Sequence, residues 1–166
     1  EIETEGHVPS AVVRETVDVA GGWNLIGSIS DTVPVSSIRS DPPGIIVSSL
    51  FGYEGGYAPV SLVKPGKGYW LKTGGSGKII LVHDTVLVKS GRPVMPVELP
   101  RANVLRISDR RGNHGEIYFA GSADIGIPVD RFDAPPLPPE GSFDARFSSQ
   151  RILELVRDGM EQEFPI

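Results

Sequence analysis

The chain has 166 residues, of which 20 are glycine and 15 are proline, so it is too rich in turn-forming residues for a mainly helical protein. Its formal net charge of −5 argues against nucleic-acid binding, which rewards basic patches, and its 39% hydrophobic content argues against disorder. Because it has no cysteine and no apolar run near about 18 residues, we expect neither thiol chemistry nor a membrane-spanning helix.

In the first half of the chain, strands are indicated by apolar and polar side chains that alternate, as at residues 13–19, and by compact apolar or β-branched runs, as at 45–51, 78–82 and 85–88. We predict strands at residues 13–19, around Trp23, at 45–51, from Tyr69 onward, at 78–82 and at 85–88. Glycine, proline and short polar residues predict a loop at 31–43 and turns at 52–57 and 64–66, and a glycine-rich hairpin loop at 73–77.

The second half begins with a predicted hairpin, in which strands at 103–108 and 116–120 flank a turn at 109–115. Residues 132–147 contain four prolines and predict an extended surface loop with polyproline geometry, whose end at 143–147 alternates as a late strand. Residues 151–160 fit a short helix or a strand, and we favour a strand.

The whole pattern predicts an all-β fold, a sandwich-like module of mostly antiparallel strands with long Pro/Gly-rich loops and little helix. We expect a single module over residues 1–166, with sub-regions 1–90 and 101–166 joined by a proline-rich connection at 90–100.

Two stretches carry the tryptophans, GGWNLIGS at 21–28 and YAPVSLVKPGKGYWLKT at 57–73. Tryptophan buries a large area, so both rings are candidates for the core. A second interpretation is a sugar-stacking platform, in which exposed rings lie beside polar side chains. Its candidate residues are Tyr53, Tyr57, Tyr69 and Trp70, with Asn24 and Glu54 as polar neighbours. We favour the core interpretation, in which Trp70 and one tyrosine are buried while Tyr53 and Tyr57 pack against the turn.

Catalytic patterns are missing from the sequence. Of the three histidines, only His83 adjoins a carboxylate, that of Asp84, and sequence neighbours on a strand point to opposite faces. No nucleophile elbow accompanies this pair, and the histidine spacing does not fit zinc. The glycines at 74–77 lead to no helix, which excludes a phosphate-binding loop. We therefore predict no enzyme activity and no cofactor.

A calcium site is a weaker hypothesis, because hard cations take carboxylate oxygens from loops. The second half carries several acids, and the candidate ligands are Asp109, Asp124 and Asp130. No calcium-loop motif is present, and exposed acids in turns are ordinary, so we favour the turn interpretation.

The runs GWNLIG, PGKGYW, LRISDRRG, EIYFAG and PPLPPEGSFDARF occur in this order, with FPI at the end. Together they resemble a β-rich module found near the C-terminus of secreted and surface proteins of bacteria that use type IX secretion. The resemblance covers residues 23–166, and the proline-rich run is its most specific part. It implies an extracellular β-sandwich that is a piece of a longer protein, and it implies no catalytic residues and no single ligand.

From these observations we predict a structural or interaction module of a secreted or cell-surface protein, with a carbohydrate-binding module as the alternative. The expected partners are another protein, copies of the chain joined through strand edges, or an extracellular glycan. Residues 11–19 form a terminal strand that could pair within the chain or with a neighbouring copy, and we favour pairing within the chain.

Overall fold

A computed structural model describes residues 13–28, 30–83, 102–121 and 129–156 of the chain. These residues form short strands and two 3₁₀ helices, Val35–Ser37 and Val129–Phe132, which confirms the all-β prediction. The strands are β1 Val13–Val19, β2 Gly22–Ile26, β3 Val33–Pro34, β4 Arg39–Asp41, β5 Phe51–Tyr53, β6 Tyr57–Pro59, β7 Leu62–Val63, β8 Tyr69–Thr73, β9 Gly77–His83, β10 Asn103–Ser108, β11 His114–Gly121 and β12 Leu153–Val156. Within the described ranges, no helix has the length and apolarity needed to cross a membrane.

The first region, residues 13–83, is built from two main sheets with strand orders β1-β9-β4 and β2-β8-β5-β6, and β3 pairs with β7 beside them. All of these pairings are antiparallel. The core lies between the sheets because each contributes the apolar side chains of one face, as in a sandwich. Its buried residues are Val19, Ile26, Val33, Ile38, Leu50, Val63, Tyr69, Leu71, Ile79 and Leu81.

Neither tryptophan belongs to this core, so the prediction that Trp70 lies in it is wrong. Along β8 the buried positions are Tyr69, Leu71 and Thr73, while Trp70 points to the opposite face and is half-buried. Trp23 is likewise half-buried on β2. The alternation of the strand explains this result, because only one of two adjacent aromatic residues can face the core.

The segment 73–77 is not the hairpin loop that its glycines predict. β8 pairs with β2 and β5, whereas β9 pairs with β1 and β4, so the loop crosses from one sheet to the other. The chain passes close to the neighbouring backbone here, since a Cβ built on Gly77 would lie 2.3 Å from the carbonyl oxygen of Asp41. Only glycine fits at that distance.

Two further boundaries differ from the predictions. The predicted strand 45–51 contributes only Phe51 to a strand, and the rest forms irregular backbone with one isolated bridge between Ile46 and Thr73. The predicted loop 31–43 contains β3 and β4. In both places the partner strand decides the structure, and local alternation does not reveal that partner.

β1 pairs with β9 over its whole length, from Val13 opposite His83 to Val19 opposite Gly77. The terminal strand therefore pairs within the chain, which is the alternative we favoured. The predicted strand 85–88 and the connection 90–100 lie outside the described residues.

The second region comprises residues 102–121 and 129–156. β10 and β11 form the predicted hairpin, and β12 confirms a strand after residue 151, although it joins β11 in parallel. Phe132 and Leu153 centre a small apolar cluster. The prediction of a late strand at 143–147 is wrong, because these residues do not pair with another strand.

The loop 132–147 is also less exposed than a surface loop would be. Ala134 and Pro135 are buried near its start, and Arg146 and Phe147 are buried at its end. The middle of the loop is open to solvent, with Leu137 69% exposed. The loop therefore packs against the body of the protein through both of its ends.

Candidate functional site

The sheet β2-β8-β5-β6 carries aromatic side chains on the face that points away from the first region's core. Residues directly opposite each other in an antiparallel ladder share a face, and the register places Leu25 opposite Trp70, Trp70 opposite Phe51, and Tyr53 opposite Tyr57. We call this surface the aromatic face, and it comprises Trp23, Phe51, Tyr53, Tyr57 and Trp70. Trp23 packs edge-to-face on Phe51, with ring centroids 6.1 Å apart.

The proline-rich loop of the second region contacts this face. The hydroxyl of Tyr57 donates to the carbonyl oxygen of Pro136 at 3.0 Å, and that of Tyr53 donates to the carbonyl oxygen of Phe143 at 3.0 Å. Burial raises the pKa of Tyr57 above its ordinary value. Docking of proline-rich segments on aromatic surfaces is a common recognition mode, used here within one chain.

Charged groups fix both ends of the same loop. Asp133 forms ion pairs with Lys72 on β8 and with Arg151, so it links the two regions. Arg146 is 5% exposed and is bound to the carboxylate of Asp144 through two nitrogens. Its Nη1 also donates to the carbonyl oxygen of Pro135 at 2.8 Å. A buried guanidinium needs this complete set of acceptors, because an unpaired buried charge is costly.

Beside the aromatic face, the two regions enclose a cleft of about 790 Å³. One wall comes from the β5–β6 hairpin and the turn before β8, and the other comes from His114, Glu116 and Tyr118, which share one side of β11. The four tyrosines of the chain, Tyr53, Tyr57, Tyr69 and Tyr118, all line this cleft.

Three charged side chains of the cleft, Glu54, Lys67 and Glu116, form ion pairs. Glu54 and Lys67 form an exposed ion pair, and the Lys67 hydrogen bond lowers the pKa of Glu54. On the other wall, the hydrogen bond from Arg106 lowers the pKa of Glu116, which also accepts from the hydroxyl of Tyr118 at 3.2 Å. Burial is the main reason why the pKa of Tyr118 is raised. Donors and acceptors therefore lie side by side on both walls.

The structure brings four of the six predicted binding residues together at the cleft, namely Tyr53, Glu54, Tyr57 and Tyr69. They do not form a flat platform. Tyr69 is 4% exposed, and the rings of Tyr53 and Tyr57 are 5.1 Å apart at an angle of 80°. Tyr53 is 39% exposed and offers the most accessible ring of the three.

The other two predicted residues are engaged elsewhere. Trp70 lies on the aromatic face, opposite Leu25 and Phe51. Asn24 holds the turn between β1 and β2, because its side-chain amide donates to the carbonyl oxygen of Ala20 at 2.8 Å and accepts from the Ala20 backbone N–H at 3.1 Å. It also donates to the hydroxyl of Thr73 at 3.2 Å. These bonds give Asn24 a structural role.

Of the calcium candidates, Asp109 is used by the turn between β10 and β11. Its carboxylate accepts from the backbone N–H groups of Arg111 and Asn113 and from the side chain of Asn113, which lowers its pKa. Asp124 and the side chain of Asp130 lie outside the described residues, as do Asp84 and the side chain of His83. In the ranges that the structure describes, no three potential metal ligands are grouped.

Sequence reasoning missed the wall formed by His114, Glu116 and Tyr118. Glu116 and Tyr118 alternate along the predicted strand 116–120, so their common side followed from that prediction, whereas His114 was placed in the predicted turn although it begins β11. Their position opposite the β5–β6 hairpin follows only from the docking of the two regions. Comparison with protein-family models, with curated proteins and with solved structures finds no match for the chain.

Proposed function

We propose that the chain is a non-catalytic structural or interaction module of a secreted or cell-surface protein. The observation that carries this proposal is the exposure of β10. Among the described strands, β10 is one edge of the sheet β10-β11-β12, and of its residues only Ile107 is partly buried. Val104 and Leu105 are 54% and 37% exposed, so apolar side chains are open to solvent on both faces of this strand.

An open edge strand can accept another strand, because its outward backbone N–H and C=O groups have no partner in the sheet. β10 is regular and contains no proline. The edges formed by β4 and β6 are blunted, since β4 has only three residues and β6 contains Pro59, which has no N–H to donate. The partner strand comes from another protein or from a second copy of the chain.

Light scattering of the full chain over a range of concentrations tests pairing between copies. The mean mass should rise with concentration, and Leu105→Lys should prevent the rise by placing charge on the edge. Leu137→Lys is the matched control, since Leu137 is an exposed leucine on a loop. A chain that stays monomeric at high concentration would rule out pairing between copies as the interaction.

The absence of catalysis belongs to the same proposal. Glycan, ester and peptide substrates should show no turnover above the buffer rate. Turnover that His83→Ala or Asp84→Ala removes would contradict the proposal. The extracellular location is supported by the resemblance to secreted modules, and fractionation of a cell that produces the parent protein would test it.

A carbohydrate-binding module is the second candidate function. The tyrosine-lined cleft favours it, because ligand sites are concave and place a few polar groups beside aromatic rings. The perpendicular rings of Tyr53 and Tyr57 argue for binding in the cleft rather than on a flat aromatic strip.

A further inference from the structure

The distribution of tyrosine is uneven in this molecule. The chain has four tyrosines, and every one of them lines the cleft between the two regions. Tyrosine combines a large apolar ring with a polar tip, which makes it common in binding sites that are partly wet. Apolar side chains would be enough to fill a core, so four phenol groups around one open space point to a binding role.

The ring of Tyr53 is held in place before any ligand arrives. Its hydroxyl donates to the carbonyl oxygen of Phe143, and its ring packs edge-to-face against Tyr57. With 39% of the residue exposed, the ring offers a fixed apolar surface at the cleft. Binding to a surface that is already ordered avoids part of the entropic cost of association.

The charges along the cleft balance. Its walls carry two lysines, Lys64 and Lys67, and two glutamates, Glu54 and Glu116, which sum to zero with His114 neutral. The chain as a whole carries −5. A balanced set does not attract an acidic or a basic ligand by charge, but it offers hydrogen-bond donors and acceptors close together.

An extended peptide fits this cleft poorly. The wall that would pair with it runs along β6, where Pro59 has no N–H to donate to an added strand. A sugar makes no such demand, because each of its hydroxyl groups both donates and accepts. The paired Glu54 carboxylate and Lys67 ammonium match two adjacent hydroxyl groups.

We propose that this cleft binds a short neutral oligosaccharide, with one sugar ring stacked on Tyr53 and adjacent hydroxyl groups bound by Glu54 and Lys67. The proposal rests on the carbohydrate-binding alternative given above and names its ligand class. Glu116 and Tyr118 on the opposite wall contact the next sugar unit.

Nuclear magnetic resonance titration of the full chain tests the proposal. The neutral probes are hexamers of β-1,4-linked glucose, xylose, mannose and N-acetylglucosamine, and the charged probe is hexagalacturonic acid. At least one neutral hexamer should give saturable shifts at the amides of Tyr53, Glu54 and Glu116. It should bind more tightly than the charged hexamer.

Variants then locate the contacts. Tyr53→Ala should weaken binding about tenfold through loss of the stacked ring, whereas Tyr53→Phe, which keeps the ring, should weaken it about twofold. The double change Glu54→Ala/Lys67→Ala should weaken binding about fivefold. The matched control is Asp18→Ala/Lys78→Ala, which removes an exposed ion pair on the other sheet and should leave binding unchanged.

Three results would overturn the inference. They are the absence of saturable shifts with every neutral hexamer, binding that Tyr53→Ala leaves intact, and preference for the charged hexamer. None of them affects the proposal for β10, because light scattering tests association through a different surface. Turnover of a bound hexamer would contradict the non-catalytic function and would leave the inference that the cleft binds a neutral oligosaccharide standing.

Discussion

The first region, residues 13–83, and the second region, residues 102–121 and 129–156, bury their apolar side chains in different places. The first region has a core between two sheets of its own. The described part of the second region has a small cluster around Phe132 and Leu153, and its proline-rich loop contacts the aromatic face of the first region. The comparison predicts that the second region depends on docking for its stability, whereas the first does not.

The largest effect is expected from Arg146→Ala, because the change leaves the half-buried carboxylate of Asp144 and the carbonyl of Pro135 without their donor. Breaking a buried ion pair of this kind costs about 3–5 kcal/mol. Urea denaturation measures the loss. Arg106→Ala is the control, because its pair with Glu116 is exposed and should be worth at most about 1 kcal/mol. Equal losses in the two variants would show that the loop is not anchored by Arg146.

Alanine substitutions in the two apolar clusters test whether the stability of each region depends on the other. Ile79 and Leu153 are each 0% exposed, so either change should cost about 2–5 kcal/mol. Ile79→Ala should destabilise both regions, because the second region docks on the first. Leu153→Ala should destabilise the second region alone. Urea denaturation, monitored through the resolved amide signals of each region, separates these outcomes. Destabilisation of the first region by Leu153→Ala would contradict the proposed difference between the regions.

A smaller effect is expected from Tyr57→Phe, which removes the hydroxyl that donates to Pro136. One hydrogen bond contributes about 0.5–1.5 kcal/mol, so the free energy of unfolding of the second region should fall by that amount. Tyr118→Phe provides the comparison, because that hydroxyl donates to Glu116 on its own strand. If calorimetry shows a larger loss of stability for Tyr118→Phe than for Tyr57→Phe, the docking role of Tyr57 would be contradicted.

The smallest effect concerns pH. The hydrogen bond from Arg106 holds the pKa of Glu116 below the unfolded value of about 4.3. A lowered folded pKa gives stability that is present above the unfolded pKa and is lost as the pH falls through the folded pKa. The β10–β11 hairpin should therefore lose stability below about pH 4, and Glu116→Gln should flatten this part of the profile. Thermal melts between pH 3 and 6 test the slope, and an unchanged slope in the variant would refute it.

The sequence predicted the elements whose pattern is local. Alternation was enough for β1, β2 and β8 and for the hairpin of β10 and β11, and a β-branched run was enough for β9. Alternation was not enough for residues 143–147, where Phe143, Ala145 and Phe147 alternate with polar residues but the buried side chains are those of the adjacent Arg146 and Phe147. It also did not show that β8 and β9 join different sheets, since strand pairing depends on distant residues.

The same limit applies to the candidate site. Tyr53, Glu54, Tyr57 and Tyr69 are close in the sequence, so one stretch of chain predicted them as a group. The wall containing Glu116 and Tyr118 comes from the other half of the chain and reaches the cleft through tertiary packing. The interpretation as a sugar-stacking platform also took no account of Pro136 and Phe143. Their carbonyl oxygens accept hydrogen bonds from the hydroxyl groups of Tyr57 and Tyr53.

Hydrogen exchange of the double variant Tyr53→Phe/Tyr57→Phe tests most directly the central claim, that the aromatic face holds the proline-rich loop of the same chain. Exchange should accelerate at Ala134, Phe147 and Ile152, whose amides donate within the second region. It should stay unchanged at the amides of β8 and β9 in the first region. Unchanged exchange in the second region, or acceleration confined to the first, would contradict the account.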